Sequence, residues 1–273
     1  MPMPRLGRFA FTAMLMFAAT PLHAAMPIIA PHRAVYDLEL DQSGNGARSS
    51  DIEGRLVLET MGSACEGYTV TTRFVTRITG AERSLLNDLR STTWEAGDGS
   101  SYRFVTKNYL DQDLADETDG IASRNDGTIS VDLRLPTDTT YSLDSKTLFP
   151  TQHVIRILEA AESGEKIVVA DVFDGSDTGK KTFSTTTVIG ARRDPAGEAG
   201  KAGDKVLGGL PSWPVTVGYF DNEAENKDLP TYQFSYDLYA NGVSRKITLD
   251  YGDFTLVGEL TSIEFLDADP CDQ

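Results

Sequence analysis

The sequence is poor in the residues that most chemistry needs. It holds three histidines and two cysteines in 273 residues. Three imidazoles leave little for His-rich metal sites or for most catalytic triads. Cys65 and Cys271 form no Cys-x-x-Cys pair for disulfide exchange. No Gly-x-Ser-x-Gly elbow offers a serine nucleophile, and no glycine-rich loop leads from a strand into a helix to cradle phosphate. Positive charge is scarce as well. Against 41 Asp and Glu stand 25 Lys and Arg, a formal charge of −16. That balance excludes a nucleic-acid partner, which needs a basic face, and electrostatic docking on anionic lipid. No apolar run reaches the roughly 20 residues of a membrane-spanning helix. No cofactor or metal is expected.

What is present begins with a targeting segment. Arg5 and Arg8 precede the apolar run Phe9–Ala19, and Thr20-Pro21-Leu22-His23-Ala24-Ala25 follows. Positive start, short apolar stretch and small residues are the order of a secretory signal. Residues 1–24 are read as that signal, cleaved after Ala24 or Ala25, and 25–273 as one domain. An uncleaved anchor is the alternative. Losing Arg5 and Arg8 brings the mature charge to −18, and His32 and His153 remain.

In an exported protein an even cysteine count reads as a disulfide. Cys65 to Cys271 would close a ring of 207 residues. Two free thiols or an intermolecular bridge are the other readings.

The hydrophobic pattern has a period of two. Ile52, Leu56 and Leu58 oppose Glu53, Arg55 and Glu59, and Tyr68, Val70, Phe74 and Ile78 oppose Thr69, Thr71, Arg73 and Arg77. Such alternation buries one sheet face and wets the other. Further strands are expected at 35–40, 84–95, 101–108, 128–134, 167–173, 182–190, 215–220, 232–240, 243–251 and 254–265. Asn125-Asp126-Gly127, Asn241-Gly242 and Gly252-Asp253 mark hairpins between them. One stretch changes period: His153–Ser163 carries Val154, Ile157, Leu158 and Ala161 on one stripe, with Thr151 as expected cap and Gly164 as stop. The fold class is therefore all-β, mainly antiparallel, with one central α-helix that plugs a curling sheet. Arg192–Gly209 reads as a surface loop.

Few residue groups offer chemistry. Asp177-Thr178-Gly179 matches the short signature of aspartic proteases, but no second copy exists to share a proton, and Lys180-Lys181 follows. Asp171, Asp174 and Asp177 are spaced by three, where calcium loops alternate ligands by two. His153 reads as a packing residue and Arg156 as an ion-pair former. The aromatic reserve of Trp94, Trp213, Tyr219, Tyr232, Tyr236 and Tyr239 would mostly form core, a minority lining a concave ligand face.

Certain blocks occur in a recognisable order. They are Ser63-Ala64-Cys65-Glu66-Gly67-Tyr68, Asp88–Glu95, Phe149-Pro150-Thr151-Gln152-His153, Asp174–Gly179, Ser235–Tyr239, Leu249-Asp250-Tyr251-Gly252 and the final Cys271. In these the chain resembles the EipB-type family of periplasmic cell envelope integrity proteins of Gram-negative bacteria. The resemblance implies a long curled antiparallel sheet, a β-spiral resembling an open barrel and similar to the periplasmic lipoprotein carriers. It implies the disulfide Cys65–Cys271, a role in envelope integrity under stress, and a helical-repeat protein as partner class. It assigns no catalytic residues. The expected protein is a periplasmic monomer that binds a protein partner or, alternatively, carries a lipid or lipoprotein. A hydrolase using Asp177 is the remaining option.

The disulfide reading has a direct check. A ring of 207 residues corresponds to about 5 kcal/mol in the chain-entropy treatment. Cys65→Ser is expected to lower stability by a few kcal/mol, and non-reducing mass analysis of the exported protein should find no alkylatable thiol. Two alkylatable thiols would refute it.

Overall fold

The structure is a computed structural model and describes residues 29–41, 51–81, 83–195, 202–224 and 227–267. The signal segment and Cys271 lie outside the described residues. The chain first lays down eight strands: β1 (His32–Leu40), β2 (Asp51–Ser63), β3 (Gly67–Thr79), β4 (Ser84–Glu95), β5 (Ser101–Leu110), β6 (Asp113–Asn125), β7 (Thr128–Leu135) and β8 (Thr139–Asp144). Helix α1 (Pro150–Ser163) follows. Then come β9 (Ile167–Val172), β10 (Phe183–Ile189), the short helix α2 (Asp204–Leu207), β11 (Ser212–Asp221), β12 (Tyr232–Tyr239), β13 (Ser244–Asp250) and β14 (Thr255–Phe265).

All fourteen strands join one antiparallel sheet, in the order 8-7-6-5-4-3-2-1-14-13-12-11-10-9. The first strand is thus central, and the chain meanders outward to one edge, crosses, and meanders back. The terminal strands β8 and β9 are neighbours in sequence but do not pair, so the sheet is curled and not closed. The crossing segment pairs with β9 through a parallel bridge at Leu148: the Leu148 N–H donates to the Asp171 carbonyl (2.8 Å), and the Phe173 N–H to the Leu148 carbonyl (3.0 Å).

The alternation read from sequence is realised most cleanly in β1. His32, Ala34, Tyr36, Leu38 and Leu40 are buried, while Arg33, Asp37 and Glu39 face water. On the convex side, cross-strand ion pairs such as Arg55–Asp37 (2.7 Å) fix register, each contributing little because water screens it. Asp88 is the exception. Arg73 and Arg90 both donate to its carboxylate (2.7–3.1 Å) and hold its pKa down to about 2.

Strands β6 and β8 escape the sequence reading. The β5–β6 hairpin turns through Asp111 and Gln112, both at positive φ (51° and 81°), where neither is the usual glycine. Strand β6 then opens Asp-Leu-Ala-Asp-Glu-Thr-Asp, a composition that disfavours strands on its own. Pairing with β5 and β7 overrides it. The Asn241-Gly242 hairpin forms as expected, with Gly242 alone at positive φ (82°). The Arg192–Gly209 segment includes α2, whose Leu207 enters the core.

Helix α1 lies in the curl, and its Ile157, Leu158, Ala160 and Ala161 pack with Tyr36, Leu38, Trp213, Val215 and Leu238. It starts at Pro150, so Thr151 is not its cap but a buried residue of the first turn. The first-turn donors are met from far off in sequence. Glu95, at the end of β4, accepts from the Thr151 N–H (2.7 Å) and the Gln152 N–H (2.9 Å). An anion at this end also favours the helix dipole. Arg124 of β6 ties the same junction, donating to the carbonyls of Gly99 (3.2 Å), Ser145 and Thr147 (2.9 Å) and lying over the Phe149 ring. Gly164 ends the helix in the left-handed conformation (φ 84°), as the sequence indicated. A second, aromatic cluster holds the other flank. Tyr102 stacks on Phe149 (5.1 Å between centroids), and Phe104 meets Phe173 edge-on (5.5 Å). A Cβ on Gly175 would come within 2.4 Å of the Phe104 ring.

Burial pushes the Glu95 pKa up to about 7, against the pull of the two N–H donors and Arg124. The unfolded chain releases this proton near 4.5, so the group favours folding fully below that value and loses its contribution as pH rises to about 7. Glu95→Gln cannot ionise. In denaturant unfolding its stability relative to the native protein should rise between about pH 5 and pH 8, by up to about 3 kcal/mol. A relative fall over the same interval would mean that the helix donors outweigh the burial.

Candidate ligand-binding site

The interior face of β2 and β3 carries the residues the alternation assigns to the core: Leu56, Leu58, Val70, Phe74 and Ile78. The structure leaves all five only half-buried. The reason is geometric. Leu56, Phe74 and Ile78 pack partly buried against the main core, whereas Leu58 and Val70, on the floor between helix α1 and the aromatic cluster, face a cavity of about 760 Å³. That volume lies in the range of small-molecule sites.

Strand register orders the floor into rows. His32, Thr60, Val70 and Thr93 stand opposite one another across β1 to β4. The next row is Leu58, Thr72, Ser91 and Thr106, and beyond it Leu89 opposes Asn108. Apolar and hydroxyl side chains thus mix along the rows, and none of these residues is an Asp, Glu, Lys or Arg. The walls come from Val154 and His153 of α1, from Tyr219 of β11 and from Phe234 and Tyr236 of β12. Asp116, Glu117, Asp174 and Asp177 supply charge on the side of β6 and the loop after β9; among the described residues no Lys or Arg lines the cavity.

Much of the polar lining is satisfied internally. Ser91 and Thr106 share a hydrogen bond (3.0 Å), and the Tyr102 hydroxyl donates to the Asp174 carbonyl (2.9 Å). The Thr185 hydroxyl donates to the Ala170 carbonyl (2.8 Å), which leaves its oxygen to accept from His153 Nε2 (3.4 Å). Burial pushes the His153 pKa down to about 4 and lowers that of His32 as well, so both imidazoles are neutral at pH 7.

His153 is a buried packing residue at the cavity wall, and Arg156 pairs with Glu165 (2.7 Å) on the surface. Asp177 lies in the 3-10 turn Asp177–Gly179 with Lys181 as its ion-pair partner, and Lys181 also meets Asp221 (2.9 Å). Asp174, three residues earlier, is raised by burial and accepts from the Ser176 N–H (2.9 Å). Tyr219 and Tyr236 line the cavity, whereas Trp213 is core. Cys65 sits in the turn between β2 and β3, and its expected partner Cys271 lies outside the described residues. Among the described residues no group of three or more His, Cys, Asp or Glu is placed to hold a metal ion. Among the described residues no helix is long and apolar enough to cross a membrane. His32, Asn108 and the hydroxyl rows were not singled out from sequence; only the register shows that they share one floor.

Comparison with known proteins follows the same outline. Residues 23–267 match the family described as EipB-like. The chain is 38% identical over 256 residues to the cell envelope integrity protein EipB of Brucella abortus (strain 2308), covering 92% of this chain and 89% of that protein. A crystal structure of a beta-barrel-like protein of a domain of unknown function, also from Brucella abortus, superposes with a TM-score of 0.80 at 38% identity, covering 88% of this chain and 99% of the other.

Proposed function

This chain belongs to the EipB-like family, and from that membership together with the cavity we propose that it supports cell envelope integrity as an exported, non-catalytic binding protein of the periplasm. The observation that carries the reading is the unfilled floor. A protein that served only as a rigid scaffold would be expected to pack its interior, because interiors are close-packed and voids are unfavourable. Here nine floor positions on β2 to β5 are small or medium side chains facing one continuous space. A lined, mainly apolar hollow suits a lipid or lipid-like cargo, in keeping with a carrier. The disulfide Cys65–Cys271 would hold the last residues against the β2–β3 turn and stiffen the body around that hollow.

A second reading, docking of a protein partner such as a helical-repeat protein, draws on the terminal strand β9. Its outward Ile167 and Val169, with Val188 of β10, are exposed, Val169 to 73%. Apolar side chains on a free sheet edge are a common protein-docking feature.

Filling the hollow separates the two readings. Ser91→Trp and Thr72→Phe place bulk on the floor, whereas Val169→Lys alters only the edge. In a strain lacking the protein, Val169→Lys is expected to restore resistance to envelope stress, and the folded floor variants are expected to fail. Full restoration by a floor variant together with failure of Val169→Lys would turn the reading to the edge.

A further inference from the structure

Two residues that line the cavity each carry a buried side-chain acceptor without a partner, His32 Nε2 and Asn108 Oδ1. His32 is 1% exposed. Its Nδ1 lies 2.7 Å from the Ala30 carbonyl, which can only accept, so Nδ1 carries the proton. In the neutral ring Nε2 is then a bare acceptor. The Asn108 amide oxygen is an acceptor too. Both unmet groups therefore ask for the same thing, a donor. A buried acceptor without a partner is unfavourable, and a ligand that brings one is rewarded for it.

The two acceptors stand at opposite corners of the floor, on β1 and β5. Four strand spacings and an offset of four residues along the strands separate them, about 23 Å along the curved sheet. Between them lie Leu58, Val70 and Leu89, whose faces suit an apolar body. The charged lining is all acidic, so an anion entering the hollow would be desolvated with no cation to meet it.

We propose that the hollow selects an uncharged amphipathic ligand, one that lays an acyl-like body along Leu58, Val70 and Leu89 and brings a hydroxyl or amide donor to His32 Nε2. This rests on the binding reading above and narrows it to a ligand class. An anionic fatty acid is disfavoured by the acidic lining, and an apolar ester without a donor leaves His32 unmet.

Calorimetric titration of the mature protein with monodecanoylglycerol, methyl decanoate and decanoate tests this without altering the chain. Monodecanoylglycerol should bind tightest, and each of the others at least about tenfold more weakly. His32→Phe should lower only the monodecanoylglycerol affinity, by about tenfold, while His32→Gln, which keeps an acceptor, stays within about threefold. Methyl decanoate or decanoate binding as tightly as monodecanoylglycerol would overturn the proposal and leave the hollow as a binding site. Failure of all three to bind would overturn the carrier reading itself. If His32→Phe does not fold, the ranking of the three ligands decides alone.

Discussion

The carboxylate of Glu95 is the point on which this architecture turns. A sheet of fourteen strands that curls without closing has two free ends, and the chain must cross between them. It does so through α1, whose first turn enters the curl with backbone donors that need acceptors away from water. Glu95 supplies two, and Arg124 closes around the same junction by binding three carbonyls. The helix is thereby seated at a fixed depth. Its apolar stripe fills one flank of the curl, and Phe149, just before it, joins the aromatic cluster that fills the other.

The hollow is what that arrangement leaves over. Were α1 seated deeper or the floor built from larger side chains, the interior would be dry core. Instead the floor mixes Thr and Ser with Leu and Val, its hydroxyls largely bonded to each other or to the backbone. In the cavity lining charge is kept to one acidic side, while Asp88 and its two arginines sit on the convex face. An interior of this kind favours shape and hydrogen-bond matching over electrostatic capture. The overall negative charge keeps the protein apart from anionic surfaces while leaving neutral molecules free to approach.

How much of this could be read from the residues depends on range. Period two along β1, β2 and β3, the Asn241-Gly242 hairpin and the apolar stripe of α1 are local patterns, and they gave the fold class and most strands. Strand β6 was hidden because its acids oppose a strand and its turn uses Asp111 and Gln112 in place of glycine. The helix start was misplaced because the acceptor that fixes it, Glu95, is 56 residues from Thr151. The cavity was illegible for a related reason: Leu58 and Val70 look identical in sequence to core residues, and only the position of α1 decides that nothing packs on them. The neutral acceptor at His32 likewise needs the contact with Ala30 to be seen.

The most direct test is the interior of the protein taken from its own envelope. A crystal structure of the chain purified without delipidation should show continuous non-protein density along Leu58, Val70 and Leu89, in contact with His32 Nε2. A floor closed over by Phe234 and Tyr236, or holding ordered water alone, would contradict the account.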